Sequence, residues 1–153
     1  MELLFAHSEI SLMQKGIWAD PELFKMFTVP LVNGSSENPM PDDNSVAISE
    51  RMASIYFPKE DPIGKVFKVS EQLDMKVTAV FKNLPSNSSL QFDFVLPFRT
   101  FEKGRPWMAG SWEMSGNQTF IKLREGASVD DVNAKLVSIV KKNCDVCLVN
   151  PFL

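Results

Sequence analysis

The sequence predicts a mixed α/β fold, and three observations predict it. Short segments alternate apolar and polar residues with a period of two, as in "KVFKV", "MKVTAVF" and "LQFDFVLPF", the signature of strands with one buried face. Other stretches open on a capping residue and then carry apolar residues at helical spacing, after Asp20, Ser49 and Ser128. Clusters of Pro, Gly, Asn and Ser separate the two kinds. With 153 residues, the chain can form one domain or two small lobes sharing a core.

Along the chain, "ISLMQKGIW" reads as a strand from about Ile10 to Trp18. A short helix follows, with Asp20 as cap, Pro21 at the first helical position and Glu22 at the positive end. Leu23, Phe24 and Phe27 are its expected buried stripe, and Val29-Pro30 ends it. Residues 32–44 read as a loop. Ser45 to Ile48 is a strand, and Ser49 caps a helix to about Phe57 with Met52, Ala53, Tyr56 and Phe57 facing the core. Pro58 stops that helix. In "EDPIGK", Pro62 presets one turn dihedral and Gly64 supplies a positive φ. Two strands joined as a hairpin come next, then the loop "LPSNSS". A strand over 90–98 turns Phe92, Phe94 and Leu96 to one face. Residues 102–117 are irregular and rich in Trp, Met and Gly. "QTFIKLRE" reads as a strand. Ser128 caps a last helix whose stripe is Val129, Val132, Leu136, Ile139 and Val140, with Asp130 and Asp131 at its positive end and Lys141 and Lys142 at its negative end. "VCLVNPFL" reads as a short final strand.

The totals exclude several functions. Net charge is −3 with 44% hydrophobic and 23% charged residues, which disfavours a nucleic-acid partner, since phosphate binding needs a basic surface. No stretch approaches the roughly 18 consecutive apolar residues of a membrane span. "MELLFAHSEI" lacks a basic region followed by a long apolar one, so it is not a signal peptide; if the protein works outside the cytoplasm, its export signal lies outside these residues. Gly64-Lys65 is a strand-entry turn and not a phosphate loop: Lys59 stands where that motif has glycine, and Val66 where it has Ser or Thr. His7, the only histidine, lies near a terminus and is a poor base for a serine nucleophile, and no G-x-S-x-G is present. The pairs Asp42-Asp43 and Asp130-Asp131 read as solvated or helix-dipole carboxylates before they read as an acid–base pair. No catalytic, cofactor-binding or metal-ligating set emerges, and no cofactor is expected. Cys144 and Cys147 read first as incidental thiols, then as a disulfide, and last as metal ligands, because a structural zinc site needs four. Asn33, Asn87 and Asn117 begin glycosylation sequons, which matter only on a eukaryotic secretory route. The candidate contact residues are Phe101, Trp107, Met108 and Trp112, large side chains among Gly104, Arg105, Pro106 and Gly110. Such residues either cap a core edge or anchor a partner.

In chain order, "ADPELFKMF", "LVNG", "SVAISERMASIYF", "DPIGKVF", "VTAVFKNLPSNSSLQFDFVLPF" and "TFIKLREGASVDDVNAKL" together resemble the MacB-like periplasmic core domain of ABC transporter permeases of the MacB/FtsX type. The resemblance runs from about Trp18 to Leu136. The chain departs from the family at Pro58 and Ala79, where glycine is common. The resemblance implies an α+β fold: a split ferredoxin-like βαβ lobe from residues 1–27 and 117–153, with a mainly β lobe inserted over residues 28–116. The family's domain opens with a further strand and helix, so an N-terminally truncated or atypical copy is implied. The implied function is non-enzymatic. The domain would sit on the extracytoplasmic side of the cell membrane, between membrane helices of the permease, contact a partner or substrate and couple to a separate ATPase. An adaptor protein and a second copy are further partners the resemblance allows. The alternative is a free-standing secreted peptide- or glycan-binding protein. Hydrophobic spans flanking the segment in its gene would separate the two.

Overall fold

The computed structural model describes residues 1–108 and 117–144. The chain divides into an N-terminal unit, Met1–Gly104, and a C-terminal unit, Arg105–Leu153.

The N-terminal unit is built on seven strands: β1 (Glu2–His7), β2 (Ile10–Ala19), β3 (Leu31–Gly34), β4 (Ser45–Ser49), β5 (Val66–Val69), β6 (Leu73–Phe81) and β7 (Phe94–Pro97). Their order is β3-β6-β4-β7-β2-β1-β5, and β5 also pairs with β6. Six strands therefore close into a ring, with β3 added to the C-terminal half of β6. The β1–β5 seam is short, Phe5↔Val69 and Ala6↔Lys68. Closure leaves few open edges, the usual way an all-round sheet avoids unwanted pairing.

Alternation distributes the apolar side chains over two cores. Phe5, Val46, Ile48, Phe67, Val69, Met75, Val77, Phe94 and Leu96 form one cluster with Met52, Tyr56 and Phe57. It draws one face from β1, β4, β5, β6 and β7, the inside of the ring, and the helix α2 (Glu50–Tyr56) packs its buried Met52 and Tyr56 there. Ala47, Ala79, Phe81 and Val95 point the other way and pack with Phe24, Val29, Met40 and Phe92. A register shift opposite Val46/Ala47 changes the parity of β6. Met75 and Val77 therefore face one core, while Ala79 and Phe81 face the other, although all four are odd-numbered.

Several expected elements appear as read: β2, β4, α2 with its Ser49 cap, and the β5–β6 hairpin. Residues 1–27 supply β1 and β2 to the same sheet as β3–β7, because β2 pairs in parallel with β7, Gly16↔Phe94 to Ala19↔Pro97. Other expectations are corrected. β3 lies within the expected loop, paired with β6. The first helix, α1, is only Leu23–Met26, without a side-chain cap; Asp20 contributes its carbonyl to Leu23 N at 3.0 Å. Phe24 is buried but Phe27 is exposed. Phe92 packs opposite Phe94 and Leu96 because the strand begins only at Phe94.

In the C-terminal unit, a 3-10 turn covers Pro106–Met108 and α4 covers Val129–Asn143. Ser128 caps α4, its Oγ accepting from Asp131 N at 3.2 Å. Among the described residues, 117–124 form no strand. Cys144 is disulfide-bonded, which corrects the reading of incidental thiols. Cys147 and the expected strand over 146–153 lie outside the described residues.

Candidate contact surface

The four expected contact residues do not form one described cluster. Phe101 belongs to α3 (Phe98–Lys103) in the N-terminal unit. It is half-buried, with its ring 5.8 Å from Trp18 and stacked 5.6 Å from Phe98. Its local role is packing. Trp107 and Met108 lie in the 3-10 turn of the C-terminal unit, closed by Met108 N donating to Arg105 O at 2.9 Å. Met108 is half-buried, whereas Trp107 is 67% exposed. Trp112 lies outside the described residues.

Sequence reasoning missed a second exposed apolar surface in the same unit. Phe120, Ile121, Val129, Leu136 and Ile139 are each 39–54% exposed, and α4 has no buried residue. Of the stripe expected to face a core, Val129, Leu136 and Ile139 are exposed, while Val132 and Val140 are half-buried. Helical spacing reports only that a face is apolar and is silent on whether anything covers it. A groove of about 560 Å³ runs between residues 122–128 and α4, lined by Lys122, Arg124, Glu125, Ser128, Asp131 and Lys135 among others. Its charges are mixed and select no single ligand class.

The polar cluster of the N-terminal unit is self-contained. Asp93, 7% exposed, accepts from Arg51 Nε at 3.0 Å and from Arg51 Nη2, and from Ser49 Oγ at 3.0 Å. Its hydrogen bond and charge push the Arg51 pKa upward, fixing the guanidinium as a cation. Arg51 N donates to Asn83 Oδ1 at 2.9 Å, and Asn83 N to Glu50 Oε2 at 3.3 Å. The cluster lines a recess of about 240 Å³ with Lys15, Leu84, Gln91 and Phe92. Each group is held by another, so the arrangement fixes β4, α2 and β7 together and presents no free base or nucleophile. His7 is likewise structural: its Nδ1–H donates to Val66 O at 2.9 Å and its ring packs 4.7 Å from Phe57. Among the described residues, no group of three or more His, Cys, Asp or Glu is placed to hold a metal ion. Among the same residues, no helix is long and apolar enough to cross a membrane.

Comparison with known proteins places this geometry in a family. A domain assigned to a permease protein from Porphyromonas gingivalis shares the fold with a TM-score of 0.75 at 26% identity, over 99% of this chain and 72% of that one. The periplasmic region of MacB from Actinobacillus actinomycetemcomitans superposes with a TM-score of 0.63 at 14% identity, over 93% of this chain and 63% of that one. No curated protein matches. The family model of the MacB-like periplasmic core domain matches residues 6–139, and the chain belongs to that family.

Proposed function

We propose that this chain is the extracytoplasmic part of an ABC transporter permease subunit, a non-catalytic module that meets a partner or substrate outside the membrane and couples that contact to an ATPase carried elsewhere. The chain itself has no phosphate loop to hold a nucleotide. The Cys144 disulfide suits an oxidising compartment. The observation that carries the contact reading is Trp107. A tryptophan 67% exposed beside Arg105 and Pro106 is the kind of large, rigid side chain that dominates interface energies. Met108 follows it in the same 3-10 turn and is half-buried. α4, with its partly exposed stripe, is read as the helix of a βαβ lobe whose remaining strands cover it.

The test is Trp107→Ala in the full-length permease in its membrane. The expected result is an unchanged melting temperature with reduced partner capture or transport. A fall in stability of about 3–5 kcal/mol, as for buried aromatic truncations, would assign Trp107 to packing and remove the contact reading.

A further inference from the structure

The last element of the N-terminal unit is held, among the described residues, by a ring contact and a polar cluster. α3 has no buried residue, and none of residues 98–104 belongs to either core cluster. Its aromatic attachment is Phe101 on Trp18. Its polar attachment converges on Asp43, in the loop before β4. Asp43 Oδ1 forms an ion pair with Arg99 Nε at 2.5 Å, Oδ2 takes the Lys103 ammonium, and the Asp43 carbonyl accepts from Thr100 Oγ1 at 2.6 Å. Arg99 Nη2 also reaches Met40 O at 3.4 Å. Arg99, Thr100 and Lys103 share one side of the helix, spaced i, i+1 and i+4. Gly104, the next residue, is the last of the unit.

We propose that α3 is a latch: its docked state depends on the Asp43 carboxylate, and it releases as a piece while the seven-stranded sheet stays folded.

The charges set the conditions for opening. Arg99 and Lys103 face Asp43 from α3. On its own loop, the neighbouring Asp42 is occupied, its Oδ1 accepting from Asn44 N and Ser45 Oγ. The Lys103 hydrogen bond, with the Lys103 and Arg99 charges behind it, holds the Asp43 carboxyl below the usual carboxylate range. A depressed carboxylate pKa stabilises the docked state above the unfolded value, and that contribution is lost as pH falls through the lowered one. The Asp43 side chain is 30% exposed, so salt screens the latch as well.

Hydrogen exchange on the whole chain tests this. In Asp43→Asn, amides 99–104 should exchange about tenfold faster, and trypsin should cut faster after Arg99 or Lys103. The β4 and β6 amides should keep their rates. Asp74→Asn, which removes the exposed Lys68–Asp74 pair, should change neither readout. Raising salt on the unsubstituted protein should reproduce part of the effect without any substitution. Unchanged α3 exchange in Asp43→Asn would overturn the proposal. So would acceleration of β4 and β6 in parallel, since α3 would then belong to the same cooperative unit as the sheet.

Discussion

At the scale of single residues, close approach and backbone conformation give the sharpest expectations. Gly16 lies opposite Phe94 where β2 meets β7. A Cβ there would fall 2.5 Å from the Phe94 ring and from its carbonyl oxygen. Neither can retreat, because Phe94 is fully buried in the inner core. Gly16→Ala is expected to cost about 1–3 kcal/mol, as overpacking does; a urea midpoint that does not move would show that the strands simply separate. Thr28 poses the opposite case. It has φ 51° just after α1, where Val29 N returns to Phe24 O at 3.1 Å. A β-branched residue in the left-handed region is strained, and helix ends of this kind favour glycine. Thr28→Gly should therefore leave stability unchanged or raise it by up to about 1 kcal/mol, the gain partly offset by the freer unfolded chain. A loss of stability would mean that the Thr28 side chain contributes more than its backbone costs. The sequence shows a glycine inside a strand pattern, a known sign of close approach. It does not show that the approaching group is Phe94.

At the scale of elements, caps were legible and pairing was not. Ser49 was readable as the cap of α2, and its Oγ accepts from Met52 N at 3.1 Å. The same hydroxyl also donates to Asp93, a link between α2 and β7 that no local signal announces. Ser49→Ala removes both bonds inside a buried network. A loss of about 1.5–3 kcal/mol is expected, more than for an isolated cap; a loss near 0.5 kcal/mol would mean that water replaces the hydroxyl. Tyr56, one helical turn beyond Met52, donates to Phe5 O at 3.0 Å and accepts from Gln14 Nε2 at 3.4 Å. Burial pushes its phenol pKa up. Raised means that the neutral form is favoured in the fold, so this contribution holds at neutral pH and is lost once the buried phenol must ionise in strong alkali. Alternation marked β5, β6 and β7 as strands but could not place the register shift that changes the facing of Ala79 and Phe81. β1 and β3 carry weaker patterns and become strands only because β2, β5 and β6 supply partners.

At the scale of the whole molecule, the two units differ in what holds them. The mixed α/β class and the family were readable from motifs in order. The β2–β7 pairing was not, because the contacts that bind residues 1–27 to residues 94–97 are long-range and leave no local trace. Every buried apolar residue described, apart from Cys144, lies between Phe5 and Leu96. Both core clusters and the closed ring of strands thus fall inside Met1–Gly104. Hydrophobic burial is the dominant favourable term in folding, so residues 1–104 should fold alone. Their urea transition should be cooperative, with stability within about 1–2 kcal/mol of the whole chain, and their amide spectrum should be dispersed. The piece 105–153 should behave differently. α4 has good caps and complementary end charges, but its best-covered residues are only half-buried, and a 15-residue helix with so little burial is marginal in water. It should show weak, non-cooperative helicity that rises in helix-promoting solvent. A disordered or aggregated 1–104 would mean that the sheet needs support from beyond Gly104. A cooperative melt of 105–153 alone would mean that α4 has a core of its own.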